Sequence, residues 1–63
     1  MNNQVLIHCK ESYFNRFLNT DFNYQWNCDE VDVIVDNIPN LNDEELCTHY
    51  GIDYDQVNCI ELY

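Results

Sequence analysis

Apolar and polar positions follow two different rhythms along this chain, and each change of rhythm marks an element. Residues 4–9 contain the unbroken run Val5, Leu6, Ile7, which predicts a short strand with little exposed surface. Phe14, Phe17 and Leu18 then recur at helical spacing, with Tyr13 four positions before Phe17, and predict a short amphipathic helix over residues 11–19. Phe22, Tyr24 and Trp26 alternate with Asn23, Gln25 and Asn27, the period-two pattern of a half-buried strand. A turn at Asn27-Cys28-Asp29-Glu30 leads into residues 31–36, the strongest strand pattern in the sequence. There Val31, Val33 and Val35 share one face, while Asp32, Ile34 and Asp36 share the other.

Pro39 ends regular structure, and a second helix is signalled just beyond it. Asn42 followed three residues later by Glu45 forms a capping box, Leu46 and Tyr50 make an i, i+4 apolar pair, and Gly51 occupies the place of a helix C′ residue. Residues 57–62 supply a last apolar stretch that completes the sheet. The order is β-α-β-β-α-β, an α+β fold with a small single-layer antiparallel sheet and two short helices on one face. Such a chain is a shortened relative of the ferredoxin-like arrangement. No repeat, low-complexity run or linker divides it, so residues 1–63 are read as a single acidic α+β domain. The competing expectation is an all-local ββα arrangement with a second short helix at residues 54–58.

Charge changes this picture more than composition does. Twelve acids face only two fixed bases, Lys10 and Arg16, for a net charge of −10, while 46% apolar and 14% aromatic residues set the chain apart from a disordered acidic tail. Residues 1–28 are neutral, with Glu11 and Asp21 balancing the two bases. All ten net charges therefore fall in residues 29–63, on Asp29, Glu30, Asp32, Asp36, Asp43, Glu44, Glu45, Asp53, Asp55 and Glu61. That distribution argues against direct contact with nucleic acid or an anionic membrane, which need a basic footprint.

The apolar run near the N-terminus is too short for a signal peptide or a membrane span, and no Asn-x-Ser/Thr site occurs. A cytoplasmic protein is expected, in the host cytoplasm if the source is viral, with its four cysteines reduced and mostly buried.

Reactive chemistry finds little support in local spacing. His8-Cys9 and Cys47-Thr48-His49 are too closely spaced to chelate zinc locally, and Asp53-Tyr54-Asp55 lacks the glycine and glutamate of a calcium loop. With one glycine there is no phosphate-cradling loop, and no nucleophile sits in a recognisable turn. Neither an enzyme nor a cofactor is expected. Residues 46–57 have the outline of a helix-turn-helix, but Asp53-Tyr54-Asp55-Gln56 would set carboxylates against phosphates.

The acids remain to be explained. Asp43, Glu44 and Glu45 complement a helix N-terminus, and solubility accounts for part of the rest. Seven of the ten have no such local role. In size and charge the chain resembles the small acidic proteins carried by phages, which block restriction enzymes, CRISPR effectors, glycosylases or transcription proteins by mimicking nucleic acid. That resemblance implies an inhibitor that binds the basic nucleic-acid-binding groove of a host protein. Its contact residues would be Asp29, Glu30, Asp32, Asp36, Asp43, Glu44, Glu45, Asp53 and Asp55, with Tyr50, Tyr54 and Trp26 as aromatic anchors. The alternative is a protein-interaction module, such as a homodimer through an apolar patch or sheet edge, with charge serving solubility.

Overall fold

Alternating β-branched residues dictate which face of each strand is buried. The computed structural model describes residues 3–17 and 22–63. Strands β1 (Gln4–Lys10), β2 (Asn23–Asn27), β3 (Glu30–Asp36) and β4 (Val57–Leu62) form one antiparallel sheet in the order β2-β3-β1-β4. Helix α1 (Glu11–Phe17) joins β1 to β2, and α2 (Asp43–His49) followed by a 3-10 turn (Tyr54–Gln56) joins β3 to β4. Each helical connection passes over one strand, so the chain contains two split β-α-β units. The expected element order is the observed one. The competing helix at residues 54–58 is reduced to the 3-10 turn before β4. Residues 18 and 19 of the expected first helix lie outside the described residues, as does the side chain of Phe17.

The register places Val5, Ile7 and Cys9 of β1 directly opposite Val35, Val33 and Val31 of β3. These six side chains share one face and are buried with Tyr13 and Phe14 of α1, Leu46 and Cys47 of α2, and Ile52. Both helices therefore cover the same face, and the core lies between them and the two central strands.

Helix α2 is held at both ends by local chemistry. The Glu45 backbone N–H donates to Asn42 Oδ1 at 2.8 Å, and the Asn42 N–H donates to Glu45 Oε1 at 3.0 Å. At the other end, Gly51 takes a φ of +74°, its N–H donates to the Thr48 carbonyl, and the Ile52 N–H donates to that of Cys47. That is a Schellman closure, and it needs glycine because a side chain is strained at this φ. Asn42→Ala removes both halves of the capping box. It is expected to cost about 1 kcal/mol, lowering Tm by about 4–8 °C in a domain of this size, which a thermal melt will read.

Strand β2 departs from its expected half-burial. All five residues are exposed, with Trp26 at 55%. Tyr24 and Trp26 do lie opposite Val33 and Val31, on the helix side, as the alternation requires. Yet β2 is an edge strand, and Phe14 covers it only in part through tilted and edge-on ring contacts at 4.8 and 6.5 Å.

Candidate functional site

The face of the sheet away from the helices carries most of the polar side chains of the strands, with Leu6 and Ile34 among them. Reading across β2, β3, β1 and β4, one row runs Gln25, Asp32, His8, Cys59 and the next Asn23, Ile34, Leu6, Glu61. Glu30 pairs with Lys10 beyond them. His8 stands near the centre of this face because β1 is an inner strand and the side chains of its neighbours Ile7 and Cys9 turn to the core.

No helix covers His8, yet it is only 4% exposed, and Asp32 only 1%. Neighbouring side chains enclose both. Asp32 Oδ1 lies 2.5 Å from Nδ1 of the ring, Glu61 Oε1 lies 2.5 Å from Nε2, and Glu30 Oε1 lies 3.7 Å from Nδ1. These contacts are close but misdirected: neither ring nitrogen, nor Asp32 Oδ1, has a hydrogen-bond partner. The outer carboxylate oxygens are held by amides. Gln25 donates to Asp32 Oδ2 at 3.3 Å, and Asn58 donates to Glu30.

The sequence-derived contact residues divide by this geometry. Asp32 is buried against His8, so it is not an outward contact, and Glu30 is half-buried beside the same ring. Asp29 is exposed in the β2–β3 turn and Asp36 at the end of β3. Asp43, Glu44 and Glu45 are exposed in the first turn of α2. Asp53 and Asp55 are exposed at the 3-10 turn, where Asp53 accepts the Asp55 N–H at 3.0 Å. Exposed Tyr54 lines a notch with Asn42, Asp43 and Glu44. Tyr50 is half-buried, and its hydroxyl donates to the Asp36 carbonyl at 2.7 Å. Burial, then the Asp36 charge, raises its phenol above the ordinary value and keeps it a donor.

Asp43 and Glu61 line a common hollow between α2 and β4, and Asp43 and Glu44 line another with Tyr54 of the 3-10 turn. The opposite edge, β2, carries only amides and aromatics. Among the described residues, every ion pair belongs to His8. Apart from Glu61, the exposed carboxylates make no ion pair among the described residues, although Arg16 shares a hollow with Asp53 and Lys10 one with Asp29.

All four cysteines are free, two of them exposed: Cys28 and Cys59. The expectation that most would be buried holds for Cys9 and Cys47 alone. Burial, reinforced by Cys47, Asp32 and Glu30, pushes the Cys9 thiol up to about 12. Burial and Asp43 push Cys47 up to about 11. Both remain protonated thiols and poor nucleophiles at neutral pH. For Cys59, desolvation against the sheet face comes first and the charges of Glu61, Glu30 and Asp32 follow, all raising the thiol.

His8, Cys59 and Glu61 were not among the sequence-derived site residues. The available signal was a polar residue inside an apolar strand, together with the i, i+2 pair Cys59 and Glu61 on a strand-like segment. No helix among the described residues is long and apolar enough to cross a membrane. No known protein family, curated protein or solved structure matches this chain.

Proposed function

We propose that this chain is an acidic docking protein that occupies the basic, nucleic-acid-binding surface of a partner protein and so inhibits it as a nucleic-acid mimic. The supporting observation is the set of exposed carboxylates on α2 and the 3-10 turn, Asp43, Glu44, Glu45, Asp53 and Asp55, none of which makes an ion pair among the described residues. The molecule measures 29 × 22 × 20 Å. Duplex DNA of that length carries roughly 17 phosphate charges at one per ~1.7 Å, so ten net negative charges approach its density. Charge of this kind speeds encounter with a basic groove and disfavours other surfaces. A host defence or DNA-processing enzyme is the class of partner that presents such a groove.

The second reading, an apolar or edge-strand interface such as a homodimer, draws on Trp26 and Tyr24 at one sheet edge and Leu62, 79% exposed, at the other. Substitution separates the two. Glu44→Lys with Asp55→Lys reverses two exposed charges that accept no hydrogen bond from their neighbours, whereas reversal at buried Asp32 would disturb the fold. The pair is expected to weaken capture of the partner by on the order of tenfold or more, while Tyr24→Ser with Trp26→Ser leaves it unchanged. The opposite pattern, read by titration of purified proteins, removes the docking reading in favour of the apolar one.

A further inference from the structure

The cluster around His8 poses a chemical problem that the docking reading does not use. One imidazole, nine-tenths or more buried, is approached by carboxylates at both nitrogens, and neither nitrogen makes a directed hydrogen bond. A buried ring nitrogen with acids beside it and no directed hydrogen bond is free to serve as a ligand to a cation. A thiol completes the set: Cys59 stands opposite His8 in the register, two residues before Glu61 and on the same face.

We propose that this face of the sheet binds one divalent transition-metal ion of the zinc class, through His8 Nε2, the Glu61 carboxylate and Cys59 Sγ. The ligand atoms of these three residues all lie within 4.8 Å of one another. Zinc bonds of about 2.0–2.3 Å let one ion reach all three after small shifts of the two exposed side chains, with a fourth position left for water. A set of one nitrogen, one sulfur and one oxygen suits zinc and its neighbours, not magnesium or calcium, which prefer all-oxygen shells.

Asp32 acts as the positioning residue. His8 binds as the neutral imidazole with Nε2 presenting its lone pair to the ion, and a small ring rotation on binding aligns Nδ1–H with Asp32 Oδ1, which already lies 2.5 Å away. Gln25 steadies the far oxygen of Asp32. The alternative trio His8, Glu30 and Asp32 also brings its ligand atoms within the same span. It is the poorer choice, because Asp32 is buried and Glu30 is engaged by Asn58, whereas Glu61 and Cys59 are open to solvent. Binding replaces the S–H bond of Cys59 by a metal–thiolate bond and releases that proton to solvent, with no change of oxidation state.

Cobalt(II) provides the probe. The full chain, stripped with chelator and kept reduced, is titrated with Co2+ and followed by absorption spectroscopy. One equivalent is expected to bind, with a thiolate-to-cobalt charge-transfer band and visible bands of low coordination number, and Zn2+ is expected to displace it while Mg2+ and Ca2+ do not. Cys59→Ser should abolish the charge-transfer band, Glu61→Gln should weaken binding by about tenfold or more, and Cys28→Ser, in the β2–β3 turn and outside the ligand trio, should change neither. Both ligand positions are exposed, so circular dichroism of these variants should match the parent. Absence of stoichiometric binding, or equal loss in Cys59→Ser and Cys28→Ser, overturns the proposal and leaves the cluster a purely structural imidazole–carboxylate clamp. The docking proposal stands or falls separately.

Discussion

Ile7→Ala is expected to lose most of the stability of the fold, about 2–5 kcal/mol for truncating a fully buried isoleucine. Ile7 has no exposed surface and sits in β1, one of the two inner strands, between Val33 of β3 and Ile60 of β4. The two helices press on the same layer from above, so the space left by three carbons has no mobile neighbour to fill it. A domain of 63 residues has only about 3–9 kcal/mol in total at ordinary per-residue stability. Urea unfolding should therefore show either a midpoint shifted far downward with an unchanged slope or a chain unfolded without denaturant. Ile7→Val, which removes one methyl, should cost about 0.5–1.5 kcal/mol. Equal, small losses in both variants would mean that the sheet and helices are not packed as described.

The second large effect lies on the opposite face. Asp32→Ala is expected to destabilise the metal-free protein by on the order of 3 kcal/mol, because it removes the buried carboxylate packed 2.5 Å from the His8 ring and leaves that ring beside a void. Such a loss exceeds by far that of a surface aspartate, whose replacement usually stays within about 0.5 kcal/mol. Burial gives the reason: Asp32 is 1% exposed although it lies on the face no helix covers. The double substitution His8→Leu with Asp32→Leu removes both buried polar groups together and fills similar volume, so most of the loss should be recovered. Urea midpoints of the two singles and the double form a thermodynamic cycle. Additive effects would show that His8 and Asp32 are not coupled.

The fold was legible where its determinants are local. The alternation of Val31, Val33 and Val35 against Asp32, Ile34 and Asp36 is the observed division of faces in β3. The Asn42–Glu45 box and Gly51 bound α2 as their chemistry requires. Exposure of β2 was not legible, since the pattern Phe22, Tyr24, Trp26 states which side a residue faces and not whether a helix is long enough to cover it. The His8 cluster was hidden for a different reason. Its members come from β1, β3 and β4 and meet only through strand register, so short-range ligand spacing had nothing to detect. The same register moved Asp32 from the outward acidic surface into a buried contact, while Glu61, counted only as charge, came to stand at the ring.

What remains outward on α2 and the 3-10 turn carries the functional claim. Its most direct test is the affinity of the protein for its captured, purified partner between about 50 and 200 mM salt, in the presence and absence of competing duplex DNA. If unpaired carboxylates hold a basic groove, binding weakens by on the order of tenfold or more across that range and duplex DNA displaces the protein. Affinity that is flat with salt and untouched by DNA would contradict the account.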